Sequence, residues 1–288
     1  MLRPFEIHEP STVGEASRLL ATLGDDATVY AGGTELVPVM KEGLASYRHL
    51  INIKTIPGLD VITERNGVLS IGALATHRRI EQAPQVRTHA PLLARVTSRV
   101  ANLRVRQMGT LGGNLCFAEP HSDPAAVLLA HSAELVLARD GGERRVPVEA
   151  FFTGILQTAR EPEEVLVRIE MASVTPGVGG GYERFATHER PTAGVAAVLT
   201  LRADVIVGAR IVIGSVSPVP ARVPDAEAML KGERPARGVF EHAAQAAARS
   251  AEILDDAYGA TDYKRHIIAV LAVRALQAAA AEAGAQVA

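Results

Sequence analysis

Apolar and polar residues along the first half of the chain alternate in some segments and recur with the helical period in others, which predicts short strands separated by short helices. A helix over Val13–Leu23 is predicted by the capping sequence Thr12-Val13-Gly14-Glu15 and by Gly24 after its last turn. The dipeptide Asn66-Gly67 between two apolar runs indicates a β-hairpin. The predicted strands are 5–8, 27–30, 50–53, 60–63, 68–72, 134–138, 144–148 and 165–171.

Further helices are predicted from near Thr34, over 76–80, 91–101 and 125–131, the last opened by Ser122-Asp123-Pro124. After Thr175 the pattern changes, and we interpret Gly177–Tyr182 as a linker because flexible glycine runs usually connect other elements. Strands over 194–201 and 205–213 then precede Ala-rich helices over 226–230, 239–253 and 261–281. The chain is therefore expected to be α+β, with a large N-terminal and a smaller C-terminal domain.

Composition is that of a globular protein, because 48% of the 288 residues are hydrophobic and 22% are charged. A net charge of -2 gives no electrostatic case for binding nucleic acid or an anionic membrane. No apolar stretch approaches the length of a membrane span, and the first residues, MLRPFEIHEP, do not resemble a signal peptide. The single cysteine excludes an internal disulfide, so we expect a cytoplasmic protein.

Candidate catalytic and metal-binding residues are few. Cys116 is the only cysteine and none of the nine histidines forms an i, i+4 pair, so the ligand count excludes a structural zinc site or an iron–sulfur cluster held by this chain alone. Cys116 is expected to be a packed small residue. His121, Ser122 and Asp123 are consecutive and cannot easily converge as a catalytic triad. Glu163 and Glu164 should point to opposite faces of a strand, which argues against an acid/base pair.

Two glycine-rich turns carry the strongest chemical signal. Ala31-Gly32-Gly33-Thr34-Glu35-Leu36 follows the apolar run Ala27–Tyr30, and Gly109-Thr110-Leu111-Gly112-Gly113-Asn114 follows later in the chain. Paired glycines leave no Cβ between the backbone amides and a ligand, and consecutive N–H groups form a concave anion site. Either turn alone is equally well a tight connection between a strand and a helix. Together they fit the two halves of a pyrophosphate, which indicates a dinucleotide cofactor.

Other phosphate-binding motifs are absent from the sequence. None of the four lysines follows a glycine, as a Walker loop requires. The run Gly177-Val178-Gly179-Gly180-Gly181-Tyr182 ends in Tyr where the dinucleotide fingerprint of a Rossmann fold has its last glycine.

The chain resembles a known family, the flavoprotein (medium) subunit of molybdenum-containing hydroxylases such as carbon monoxide dehydrogenase and xanthine dehydrogenase. The resemblance covers essentially the whole chain. It rests on both glycine turns with the Ser-Asp-Pro that follows, and on further motifs in the same order: Ile71-Gly72-Ala73 with Thr76-His77, Glu163–Leu166, Gly214-Ser215-Val216, Pro220-Ala221-Arg222, Tyr263–His266 and Arg274-Ala275-Leu276.

The resemblance implies a two-lobed FAD-binding domain of the vanillyl-alcohol-oxidase (PCMH) type over residues 1–176, with lobes at about 1–55 and 56–176. A smaller α+β domain over 177–288 would contain a three-stranded antiparallel sheet with helices. FAD would be held noncovalently, with backbone N–H groups of both turns and the hydroxyls of Thr34 and Thr110 on its pyrophosphate. The implied cofactor-binding residues are Val29, Tyr30, Ala31, Gly32, Gly33, Thr34, Glu35, Leu36, Thr110, Leu111, Gly112, Gly113, Asn114, Asp123 and Leu166.

Two of these positions have an alternative interpretation. Asp123 matches a family aspartate that bonds a cofactor hydroxyl group, but Ser or Asp before Pro is also a common helix start. Leu166 matches a position whose backbone meets the adenine portion, but it is equally a core strand residue. Two departures from the family pattern stand out: Ala186 follows Phe185 where a Lys is common, and Gln107 replaces the usual Asn.

The functional expectation is an electron-transfer subunit. Electrons would come from a small subunit with [2Fe–2S] clusters, and a large subunit with molybdopterin would oxidise the substrate, in a dimer of heterotrimers. Asn114 after the glycine pair resembles members that act on N-heterocycles or purines, whereas Asp is common there in the carbon monoxide branch. The alternatives are a stand-alone FAD-dependent oxidoreductase acting on a small molecule and a nucleotide-binding protein without enzyme activity.

Overall fold

The computed structural model describes residues 2–187 and 190–285. The first lobe is a three-stranded parallel sheet in the order β1-β3-β2. Its helix α1 begins where predicted, because the Thr12 hydroxyl accepts a hydrogen bond from the Glu15 amide. Its elements are β1 Glu6–His8, α1 Val13–Leu23, β2 Ala27–Tyr30, α2 Leu36–Lys41 and β3 His49–Asn52, with 3-10 turns at Gly24–Asp26 and Ile53–Thr55.

The second lobe contains a five-stranded antiparallel sheet in the order β4-β5-β10-β6-β7. Asn66 and Gly67, both with positive φ, form the predicted hairpin turn between β4 and β5. The sheet strands are β4 Ile62–Arg65, β5 Val68–Gly72, β6 Glu134–Arg139, β7 Gly142–Pro147 and β10 Val165–Ala172, and a separate small hairpin consists of β8 Phe152–Gly154 and β9 Gln157–Thr158.

Seven helices of the described chain accompany this sheet. The Thr76 hydroxyl caps the first of them, as predicted. The helix predicted over 91–101 is wrong at its end, because α5 stops at Thr97 and a separate helix α6 leads into the second glycine turn. These helices are α3 His77–Gln82, α4 Pro84–His89, α5 Pro91–Thr97, α6 Leu103–Met108, α7 Leu111–Phe117, α8 Asp123–Ala130 and α9 Val148–Phe151.

The C-terminal domain contains an antiparallel sheet in the order β11-β12-β13-β14. Helices cover this sheet, and sheet and helices together form a second hydrophobic core of the chain. Three of the strands are long, as expected, and a two-residue fourth strand is added to the predicted three-stranded sheet. The elements are β11 Val178–Phe185, β12 Ala193–Arg202, β13 Val205–Gly214, β14 Ala221–Arg222, α10 Pro224–Leu230, α11 Arg237–Ser250 and α12 Thr261–Glu282.

The interpretation of the glycine run as a linker is wrong, because Val178–Phe185 is strand β11. A Cβ on Gly179 would lie 2.1 Å from the carbonyl oxygen of Ala279, and one on Gly181 would lie 2.0 Å from that of Ala275. The glycines are therefore needed so that α12 can pack directly onto the strand. Within the described residues, no helix is both long enough and apolar enough to span a bilayer.

Candidate functional site

The two glycine turns lie against each other. A Cβ on Gly32 would be 2.2 Å from the carbonyl oxygen of Met108 and 2.9 Å from the Cα of Gly109. On the other side, the Thr34 hydroxyl lies 3.1 Å from the position that a Cβ of Gly109 would take. The fold thus brings a turn of the first lobe into contact with a turn of the second lobe, although the two are far apart in the sequence. A ligand bound by both turns requires this proximity.

The first turn presents consecutive open backbone amides. Gly33 has a φ of +69°, a left-handed conformation that reverses the chain between β2 and α2. Within the described part of the chain, the N–H groups of Gly32, Gly33, Thr34 and Glu35 donate no hydrogen bond to the protein. Neighbouring unpaired amides in such a turn are a binding site for an anionic group.

The second turn differs from expectation, because helix α7 begins inside it. The amide of Leu111 donates to the Ala75 carbonyl at 3.0 Å and that of Gly112 to the Ala73 carbonyl at 2.9 Å. The amide of Gly113 donates to the Thr110 hydroxyl at 3.0 Å, which caps the helix. Most N–H groups of the second turn are therefore used within the lobe, whereas the Thr110 amide donates to no acceptor among the described residues.

Packing explains the glycine at 112. A Cβ there would lie 2.7 Å from the carbonyl oxygen of Ala73, so α7 approaches β5 as closely as the backbone allows. His77 lies behind the same turn: its amide donates to the Gly109 carbonyl, and its imidazole is almost completely buried. Burial, and then the charge of Arg106, lowers the pKa of His77 to about 4, so it is neutral at physiological pH.

Asp123 is buried at the contact between the two domains. The Tyr182 hydroxyl donates to its Oδ1 at 2.5 Å, and the Arg184 guanidinium donates to its Oδ2 at 2.5 Å. Burial raises the pKa of Asp123, and the charge of Arg184 and the hydroxyl of Tyr182 act in the opposite direction. Ser122, not Asp123, precedes the first turn of α8, and its hydroxyl donates to the Asn114 side chain at 2.6 Å. The helix-start interpretation is confirmed, since Asp123 is the first residue of α8, and its carboxylate in addition bonds two residues of β11.

Sequence reasoning missed an ion-pair network beside the first turn. Arg190 lies 3.2 Å from the Glu35 carboxylate and 2.8 Å from that of Glu119. Burial raises the pKa of Glu35, and Arg190 opposes that rise. Burial also acts against ionisation of Glu119, but the hydrogen bond and charge of His121, with Arg190, lower its pKa. No local signal points to Arg190, because its partners are distant in sequence.

His121 is oriented by this network and not by its neighbours in the sequence. Its Nδ1 is 2.7 Å from Glu119, and its ring lies 4.5 Å from that of Tyr258, centroid to centroid. Its Nε2 is buried without a hydrogen-bond partner among the described residues. Because the Ser122 hydroxyl bonds Asn114 instead, His121 and Ser122 do not form part of a triad.

The remaining predicted residues lie near the turns or in the core. Tyr30 packs its ring 2.6 Å from the Cβ position of Gly33, and the ammonium of Lys54 lies 4.1 Å from the ring centroid. Leu166 is a buried core residue on β10 at a register shift against β6, so its backbone contact with adenine stays a prediction. Val29 lies in β2, Ala31 lies in the first turn itself, and Leu36 is the first residue of α2.

The residues for which the sequence analysis argued against a catalytic role have ordinary structural contacts. Cys116 packs against the core of the second lobe, and burial raises the pKa of its thiol to about 11. Glu163 pairs with Arg139 and Glu164 with Arg144, so the two carboxylates have separate partners.

Comparison with known proteins assigns the fold to a family. Residues 3–171 match the family described as the FAD binding domain in molybdopterin dehydrogenase, and residues 183–279 match the CO dehydrogenase flavoprotein C-terminal domain. The chain belongs to this flavoprotein family. FAD is therefore its cofactor, and the chain is an oxidoreductase flavoprotein subunit of the molybdenum enzymes.

Similar proteins span the same length. The carbon monoxide dehydrogenase medium chain of Hydrogenophaga pseudoflava is 36% identical over 277 residues, which is 96% of each chain. A solved structure of carbon monoxide dehydrogenase from that organism, lacking the Mo-pyranopterin moiety of its molybdenum cofactor, matches with a TM-score of 0.95 and covers 98% of this chain and 99% of that one. The nicotine 6-hydroxylase medium subunit of Paenarthrobacter nicotinovorans is 29% identical over 272 residues, 94% of this chain and 96% of the relative.

The flavoprotein's first turn fits the diphosphate of FAD. Four neighbouring amides without protein partners offer neutral donors to a ligand that must be bound but does not react at its phosphates. The Thr34 side chain adds a hydroxyl at the place where the turns meet.

Proposed function

We propose that this chain is the electron-transfer subunit of a molybdenum hydroxylase or dehydrogenase, which takes electrons from a [2Fe–2S] subunit and passes them to an external acceptor. The observation that carries the proposal is the row of open amides from Gly32 to Glu35, held against the second glycine turn. FAD supplies the redox chemistry when bound, and the protein binds and orients it.

The first turn binds the pyrophosphate of noncovalently held FAD in this proposal. The amides of Gly32, Gly33, Thr34 and Glu35 donate to phosphate oxygens, and they give up no hydrogen bond to a described protein group in doing so. The second turn acts mainly by position: its amides hold α7 in place, and Thr110 keeps a hydroxyl hydrogen available for a phosphate oxygen while its oxygen caps Gly113.

Asp123 serves the cofactor and the domain contact together. Each carboxylate oxygen accepts one bond from Tyr182 or Arg184, and each has a second lone pair for a hydroxyl of the cofactor. Asn114 belongs to the same group, because Ser122 connects its side chain to the start of α8. Leu166 provides its backbone to the adenine portion at the irregular point of β10.

The partners in this proposal are a small iron–sulfur subunit and a large molybdopterin subunit, arranged as a dimer of heterotrimers. The described residues offer one cofactor site with no nucleophile–base pair beside it, which suits a subunit that leaves substrate chemistry to another chain. Asn114 after the glycine pair supports an N-heterocycle or purine-like substrate. Identity to a carbon monoxide dehydrogenase medium chain does not decide the substrate, because the substrate would bind the large subunit.

Anaerobic reduction of the flavin tests the electron-transfer role against the stand-alone alternative. The isolated flavoprotein should keep its oxidised-flavin absorbance when an N-heterocycle, a purine or carbon monoxide is added, yet should transfer electrons between a reduced nicotinamide and artificial dyes. The complete complex should lose that absorbance with its own substrate, and removal of the iron–sulfur subunit should stop the loss. Reduction of the isolated chain by substrate at a catalytically useful rate would instead establish a stand-alone oxidoreductase.

A further inference from the structure

Three side chains with metal-ligating atoms converge on the surface of the first lobe. Glu6 and His8 lie two residues apart on β1, and His49 begins the neighbouring strand β3, where it is paired with Glu6. Residues two apart on a strand point to the same face, and cross-strand neighbours lie side by side. The pleat therefore gathers the three side chains on one face of the sheet.

The distances among them are those of a metal site. His8 Nε2 and His49 Nδ1 are 3.0 Å apart, and the Glu6 Oε2 lies 3.8 Å from the first and 3.5 Å from the second. Ligands at about 2.0–2.1 Å from a tetrahedral zinc ion are separated by roughly 3.3 Å. The three measured separations lie on both sides of this value, so side-chain adjustments of a few tenths of an ångström would bring each pair of atoms to this spacing.

The donor set selects a class of ion. Two imidazole nitrogens with one carboxylate oxygen suit zinc and the neighbouring transition metals, whereas magnesium and calcium prefer oxygen ligands alone. The imidazoles are about one-fifth to one-quarter exposed, with side-chain values of 21% for His8 and 24% for His49, so they are partly ordered by packing and still open to an ion.

We propose that Glu6, His8 and His49 bind one divalent zinc-class ion through a carboxylate oxygen, Nε2 and Nδ1 respectively, with the fourth position open to water. The proposal departs from the sequence analysis, which excluded a structural zinc site because the chain has one cysteine and no i, i+4 histidine pair. The proposed ligands come instead from two strands, and parallel pairing alone brings them together. The ion would fasten β1, a three-residue edge strand, to β3.

The proposed ion site is separate from the cofactor turn. His49 is paired with Ala27 at the start of β2, and the glycine turn follows Tyr30 at the other end of that strand, about 10 Å away. Loss of the ion should therefore leave FAD content unchanged, and the two proposals fail independently of each other.

Zinc titration of the full flavoprotein, after treatment with a chelator, tests the site. In competition with a chromophoric chelator we expect one tight equivalent of Zn²⁺, weakened at least about tenfold by His8→Ala or His49→Ala. His242→Ala, a change at an exposed histidine on α11, is the matched control and should bind like the wild type. Added Zn²⁺ should also raise the melting temperature of the wild type more than that of His49→Ala.

Two results would overturn the site: no tight equivalent in the wild type, or an equivalent that persists in both histidine variants. If either histidine variant misfolds, Glu6→Gln keeps the test available, because the Glu6 side chain is 65% exposed and its replacement is not expected to disturb the fold. Glu6→Gln should weaken Zn²⁺ binding while FAD absorbance is retained, and unchanged affinity in this variant would contradict a site with three ligands.

Discussion

Gly32 and Gly33 are adjacent, yet each needs its small size for a different reason. Gly32 lies so close to Met108 that a Cβ would be 2.2 Å from its carbonyl oxygen. Gly33 requires its positive φ of +69°, and a Cβ there would meet the Tyr30 ring at 2.6 Å. The first glycine permits the contact between the turns, and the second shapes the row of amides.

Gly33→Ala should weaken FAD binding, because it strains the left-handed backbone and pushes against the Tyr30 ring. Gly43→Ala is the matched control, since Gly43 has a φ of +75° and no atom within 4 Å of its Cβ position. Both changes cost about 1–2 kcal/mol of backbone strain, but only Gly33→Ala should weaken FAD binding, by about tenfold or more. Fluorescence titration of the apoprotein measures this, and equal affinities in both variants would remove the first turn from the cofactor site.

Asp123→Ala should lower both stability and FAD affinity. It leaves the largely buried Arg184 guanidinium without its carboxylate, which costs about 3–5 kcal/mol of unfolding free energy. Tyr182→Phe removes one hydrogen bond from the same carboxylate, so it should cost only about 1 kcal/mol and lower FAD affinity far less than Asp123→Ala does. Urea unfolding and FAD titration separate the effects: full affinity in a folded Asp123→Ala protein would confine the carboxylate to the domain contact.

At the level of elements, the contact between β11 and α12 depends on glycine because two backbones meet there. Gly181→Ala would place a Cβ 2.0 Å from the Ala275 carbonyl oxygen, and the helix must move away to accept it. We expect about 1–3 kcal/mol of destabilisation in urea unfolding. Gly208→Ala on β13 has only ordinary contacts near 3.5 Å, so it should change stability by less than about 0.5 kcal/mol. Equal losses of unfolding free energy in the two variants would mean that α12 shifts to accommodate the added Cβ without cost.

Elements whose signals are local could be predicted from the sequence, and those set by distant contacts could not. Asn66-Gly67, Thr12 and Thr76 act within a few residues, and the structure confirms all three. The glycines of β11 look like a linker because the helix that requires them lies almost one hundred residues later. The same limit applies to the site: both glycine turns could be recognised from their local sequence, whereas the internal bonding of the second turn depends on the carbonyls of Ala73 and Ala75, which lie outside it.

At the scale of the whole molecule, one ion pair fastens the last helix to the FAD-binding domain. Arg95 on α5 binds Glu282 at the end of α12, and the same carboxylate accepts the Gly180 amide of β11. Burial acts against ionisation of Glu282, but these two hydrogen bonds, together with the charges of Arg95 and His131, lower its pKa. The pair therefore connects an element of each domain through one carboxylate.

Glu282→Gln should remove stability that depends on pH. Because the pKa of Glu282 is lower in the folded than in the unfolded protein, its contribution is complete above the unfolded value near 4.3 and is lost as pH falls through the folded value. With Arg95 half exposed, we expect a loss of about 1 kcal/mol near neutral pH. Urea unfolding over a pH series should show this difference shrinking in acid, whereas Glu241→Gln, in an exposed pair with Arg237, should have little effect. A difference that stays constant into acid would contradict the assignment.

In the proposed site, the buried carboxylate of Asp123 would couple cofactor binding to the docking of the two domains. Its partners Tyr182 and Arg184 belong to the C-terminal domain, so a carboxylate that also bonds FAD makes cofactor loading and domain docking thermodynamically coupled events. Such coupling is reciprocal: whatever docking adds to FAD affinity, FAD adds to docking by the same factor. Loss of FAD should then weaken domain docking, and added FAD should stabilise the docked arrangement by mass action.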